Sequence, residues 1–116
     1  MSVYSNDTLA LAEELVTRPD EASARASVSR AYYALFCAAR DSFGLKGHAV
    51  RGVNRLVIER YMNSGKPDER EVGRILDKLR RFKSLADLES GKALKPGIAE
   101  RSVLLCRRAL ELLEGV

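Results

Sequence analysis

At 116 residues, with 46% hydrophobic and 31% charged side chains and only three prolines, the chain is sized and composed for one soluble, largely helical domain. The net charge is +4, the single histidine excludes an ordinary zinc cluster, and a disulfide between the two cysteines would need an oxidising compartment. No run is apolar enough to span a membrane and no leader is legible, so Cys37 and Cys106 are expected as buried free thiols in a cytoplasmic protein.

The spacing predicts five helices. The first covers residues 7–17, capped by Ser5 or Asn6, with Leu9, Ala12, Leu15 and Val16 inward and Pro19 closing it. The second runs from Asp20 to Phe43, its N-terminus favoured by Asp20 and Glu21 and its end marked by Gly44. Within it, Val28, Tyr32, Leu35, Ala39 and Phe43 recur every three or four residues and define the central buried face. A connector, Leu45–Ala49, carries His48, and helix three spans Val50–Met62 with Val50, Val53, Leu56, Val57 and Tyr61 inward. Arg51, Arg55 and Glu59 form its outer row.

Residues 63–67 read as a loop. Asp68 and Glu71 then fit a capping box opening a fourth helix that runs to Leu88. Its inner face is Val72, Ile75, Leu76, Leu79, Phe82 and Ala86, and Arg70, Arg74, Lys78 and Arg81 form a basic row elsewhere on it. Pro96 is expected in the first turn of a fifth helix, with Ile98, Ser102, Val103, Cys106, Ala109, Leu110 and Leu113 inward and Gly115 at its end. Five amphipathic helices with short links make an all-α, antiparallel up-and-down bundle, without repeats or a second domain.

Charge is unevenly placed. Residues 1–45 hold four basic and six acidic groups, and residues 46–116 hold sixteen and ten. The basic second half suits phosphates or an acidic partner. Arg30 stands in an apolar run and needs either a carboxylate at the helix edge or a hydrogen-bonded role inside or between subunits. Tyr32 and Tyr33 point about 100° apart, so at most one belongs to the core and the other reaches the rim. Arg30, Tyr33, Arg74, Lys78 and Arg80 are the candidate nucleotide- or RNA-binding residues. No Gly-rich phosphate loop, nucleophile elbow or metal motif is present.

The run Ser29-Arg-Ala-Tyr-Tyr-Ala-Leu-Phe36, followed by Ala38-Ala-Arg40, resembles the signature helix of HEPN domains, small all-helical nucleotide-binding or RNase modules. Late in the fourth helix, short members of that family place an arginine three residues before an Ala-Asp-Tyr triplet. Here Lys83 stands for the arginine, Ala86-Asp87 match, and Leu88 replaces the tyrosine. Catalytic members carry an arginine, four to six intervening residues and then a histidine; Arg81 and Asp87 have that spacing but the wrong last residue. Asp is a poor general acid at pH 7 compared with His. His48 matches a histidine common in that connector and is expected as a loop or capping residue.

The resemblance implies a homodimer with Arg30 and the Lys83–Asp87 region near a shared cleft, no cofactor, and pairing with a small nucleotidyltransferase in a toxin–antitoxin module. Three readings follow. The chain is a HEPN partner protein with a degenerate RNase motif; or a divergent metal-independent RNase using Arg81, Lys83 and Asp87; or a non-catalytic nucleotide- or RNA-binding dimer.

Overall fold

A computed structural model describes residues 3–42, 53–88 and 93–115, and all statements below concern them. Five helices are formed and no strand: α1 (Val3–Leu15), α2 (Glu21–Ser42), α3 (Val53–Met62), α4 (Pro67–Leu88) and α5 (Ile98–Leu113). None is long and apolar enough to cross a membrane. The radius of gyration is 13.6 Å, as expected of a chain this long packed into one body.

Helix α2 is the hub and touches every other helix. Its predicted inner residues Val28, Tyr32, Leu35 and Ala39 are buried, while Phe43 lies outside the described residues. Small side chains at Ala31, Ala34 and Ala38 let neighbours approach on several sides, so burial extends around the helix. Asp20 caps α2: its Oδ2 accepts the Ser23 N–H at 2.9 Å and its carbonyl accepts the Ala24 N–H at 3.2 Å. The Ser23 backbone N–H is the main reason the Asp20 carboxyl lies below its ordinary pKa.

Helix α1 begins four residues earlier than its residue types predict. Ser5, expected as a cap, is a fully buried helical residue. Thr8 is also buried and its Oγ1 donates back to the Tyr4 carbonyl at 2.6 Å, so packing against α2 outweighs the capping preference. Buried Ser27 fixes the pairing of the two helices by donating to the Ala12 carbonyl at 2.8 Å. Thr17 and Arg18 end α1 in a tight turn onto Glu14 and Leu15, one residue before Pro19.

Helix α4 does not use the expected capping box. Pro67 takes its first position, where the missing N–H leaves nothing to satisfy, and Asp68 lies inside the first turn. The turn is clasped from the loop instead. Ser64 Oγ donates to Glu69 at 2.5 Å, and Arg70 donates to the Ser64 carbonyl at 2.9 Å. Pro96 likewise stands outside α5, whose N-cap is Gly97 at φ 86°, a left-handed conformation that glycine adopts without strain. Gly115, at φ 76°, stops α5 as its sequence position suggests.

Helix α3 packs chiefly on α4. Val57, Ile58 and Tyr61 are buried, and Tyr61 donates to the Ala39 carbonyl of α2 at 3.0 Å. Leu56, expected inward, is 51% exposed, and Ile58 takes the inner position. Arg55 and Glu59 pair at 3.3 Å on the outer row. The close approach of α3 to α4 depends on Gly73, because a Cβ there would lie 2.5 Å from the Met62 backbone nitrogen.

Candidate functional site

The candidate site lies in the seam where α2 meets the last turns of α4. Each site side chain follows from helical register. Tyr32 and Tyr33 diverge by one residue step, and the structure resolves which is which: Tyr32 is 1% exposed in the core and Tyr33 sits half-buried at the rim. Their rings meet edge to face at 5.5 Å, and Tyr32 stacks on Phe36 at 5.9 Å. Arg40 lies 5.9 Å from the Phe36 ring centre and pairs with Asp41 at 3.3 Å.

From α4, Lys83 reaches across this rim. Its Nζ lies 5.3 Å from the centre of the Tyr33 ring and donates to Asp87 Oδ2 at 2.5 Å, one turn further along the helix. Partial burial pulls the ammonium pKa down, but the hydrogen bond to Asp87, aided by Tyr33, outweighs it and the net shift is upward. Lys83 therefore stays cationic at neutral pH. It can steady a phosphate charge, and it is no general base. Asp87 is committed to that ammonium.

Arg81 is not part of this cluster. It points about 160° around the helix from Lys83 and pairs with Asp77 at 2.9 Å. Arg80 binds the same carboxylate at 3.1 Å, and its charge reaches the Tyr32 hydroxyl, where it opposes the upward pKa shift caused by burial. Of the three residues offered for catalysis, Lys83 and Asp87 are thus brought together and Arg81 is held apart.

Arg30 is exposed on α2 and has no ion pair or hydrogen bond among the described residues, so it does not point into the core of the chain. Arg74 and Lys78 lie on the outer side of α4, remote in register from Lys83 and likewise unpaired among the described residues. Of the predicted binding residues, Tyr33 alone touches the Lys83–Asp87 pair. His48 lies outside the described residues.

Two residues of this region escape sequence reasoning. Arg25 donates from Nη1 to the Ala86 carbonyl at 2.7 Å and to Leu85 at 3.4 Å, holding the end of α4 against α2. Its partners lie some sixty residues away in the chain, beyond any local pattern. Asp77, by contrast, stands three and four residues before Arg80 and Arg81, a spacing that does signal pairing. No group of His, Cys, Asp and Glu among the described residues is arranged to hold a metal ion. No protein-family model, no curated protein and no solved structure matches this chain.

Proposed function

We propose that the chain is a HEPN-type up-and-down helical bundle that acts as a non-cleaving partner of a nucleotidyltransferase-fold protein, in a cytoplasmic toxin–antitoxin module. It works as a homodimer. Its Tyr33–Lys83 rim, with Arg30 on the same helix, meets the phosphates of a nucleotide or RNA.

One observation carries the reading: Asp87, which the resemblance sets where cleaving members of the family have their histidine, is bound to Lys83 at 2.5 Å. A carboxylate held by an ammonium is a weak base towards a 2′-hydroxyl, and once ionised it has no proton for a leaving oxygen. Arg81, the other half of the degenerate motif, is turned to Asp77. What remains at the rim is the Lys83–Asp87 ion pair beside the Tyr33 ring, and the positive charge left for a phosphate is that of Arg30, exposed and unpaired among the described residues.

The test is cleavage of a labelled single-stranded RNA at pH 7, with and without EDTA, by the wild type and by Lys83→Ala and Asp87→Ala. The expected result is no cleavage by any of the three. Cleavage by the wild type that disappears in both variants would make the chain a divergent RNase instead. Sedimentation equilibrium of the same preparations reads the dimer directly, and a monomer at micromolar concentration would remove that part of the proposal.

A further inference from the structure

A second surface lies away from the Tyr33–Lys83 rim. The end of α4, the segment 93–97 and the start of α5 enclose a groove of about 650 Å³. Its apolar wall is built from Phe82, Leu85, Leu94, Pro96 and Ile98. Leu85 is 40% exposed there, a large aliphatic side chain left open to water. The groove also carries Lys95 and Arg101, both exposed and neither paired with a carboxylate among the described residues. Its third cation, Arg25, is already engaged with the α4 carbonyls and with Glu21.

The surface continues along α4. Arg74, Lys78 and Leu85 follow one another at four and seven residues, on one outer face of the helix. That face runs for about 16 Å at the helical rise. It presents two unpaired cations and then the exposed leucine that opens into the groove.

We propose that this groove docks an acidic amphipathic segment of a partner protein, its apolar side chains on Leu85 and Ile98 and its carboxylates on Lys95, Arg101 and Lys78. Charge complementarity selects the occupant. The surface offers free cations around an apolar floor, and an acidic segment with buried leucine-like anchors satisfies both at once. A nucleic acid would answer the cations and leave most of the floor unfilled, because among the described lining residues the one aromatic ring, Phe82, is partly buried and the rest of the wall is aliphatic. The inference is independent of the family reading, since it uses neither Lys83 nor Asp87.

The probe is a fluorescein-labelled synthetic helix of about 14 residues, four turns long, alternating Glu-Glu and Leu-Leu pairs. A peptide with Lys for Glu and a labelled oligouridylate serve as comparisons. Binding is read by anisotropy and mapped by amide shifts in the ¹⁵N-labelled chain. The acidic peptide is expected to bind and to shift residues 82–85 and 98–101. Arg101→Glu and Leu85→Asp, both at exposed positions, should each weaken it about tenfold or more while leaving the far-ultraviolet dichroism at the assay temperature unchanged. The proposal is overturned if the acidic peptide does not bind, if its shifts map elsewhere, or if Leu85→Asp has no effect. It is also overturned if the oligouridylate binds this groove in the peptide's place.

Discussion

Arg25 and Ala86 lie in different helices, and the guanidinium of one closes the carbonyl end of the other: Nη1 donates to the Ala86 oxygen at 2.7 Å. The last carbonyls of a helix have no partner within it and carry partial negative charge, so a cation there both bonds and complements the dipole. Arg25 is largely buried in doing so, with 17% of its side chain exposed. Replacing Arg25 with Met keeps the aliphatic stem and removes the donor. The expected loss is about 1–3 kcal/mol, read as a lower urea midpoint with an unchanged slope. A variant as stable as the wild type would show that water caps α4 equally well.

The Tyr32 hydroxyl is buried and has no hydrogen-bond partner among the described residues. A buried polar group left unpaired is unfavourable by about 1–3 kcal/mol. Tyr32→Phe removes the oxygen and keeps the ring that stacks on Phe36. The variant should be at least as stable as the wild type, and up to about 1 kcal/mol more stable. Urea denaturation checks this, and a marked loss would mean that the hydroxyl finds a partner in solution.

Gly73 tests the α3–α4 contact. Alanine is favoured over glycine inside a helix by about 1 kcal/mol, so propensity alone predicts stabilisation. The new methyl, however, would meet the Met62 backbone nitrogen at 2.5 Å and its Cα at 2.9 Å. Backbone cannot swing aside as a side-chain tip does, and overpacking of this kind costs about 1–3 kcal/mol. Gly73→Ala should therefore lower Tm, and a higher Tm would refute the close approach.

Alkaline pH should unfold the protein gradually. Burial pushes the Tyr32 and Tyr61 hydroxyls and the Cys106 thiol each up to about 12, from 10.0 for the tyrosines and 9.0 for the thiol. Burial also raises Cys37. In the unfolded chain these groups lose their protons first, so between the two pKa values the unfolded state binds fewer protons and stability falls with pH. Their contribution is complete below about pH 9 and is lost as pH rises towards 12, at about 1.4 kcal/mol per pH unit for each group titrating. Denaturation midpoints from pH 8 to 11 measure this. Cys106→Ala should flatten the part that begins near pH 9, and an unaltered profile would refute that assignment.

The helices were legible in the sequence because their burial is periodic. Val72, Ile75, Leu76, Leu79 and Ala86 are buried as their spacing requires, and so are Val28, Tyr32, Leu35 and Ala39. Helix ends were less legible, since Pro67 and Gly97 set boundaries that the Asp68 box and Pro96 suggested elsewhere. Leu56 was misplaced because α3 is short and rests mainly on one neighbour, so a single residue step turns a side chain from core to solvent. At the candidate site, the Lys83–Asp87 pairing was implicit in an i, i+4 spacing. Its contact with Tyr33, and the hold of Arg25 on Ala86, join segments far apart in the chain and become visible only once α2 and α4 are packed.

The attachment of α3 has a consequence for how the protein breathes. It leans on α4 and is tied to the hub through the Tyr61–Ala39 hydrogen bond, whereas α1, α4 and α5 all pack broadly on α2. Releasing α3 need not separate α2 from α5. Its amides should exchange with solvent deuterium through a partial opening that asks less free energy than global unfolding, while those of α2 wait for the whole bundle to come apart.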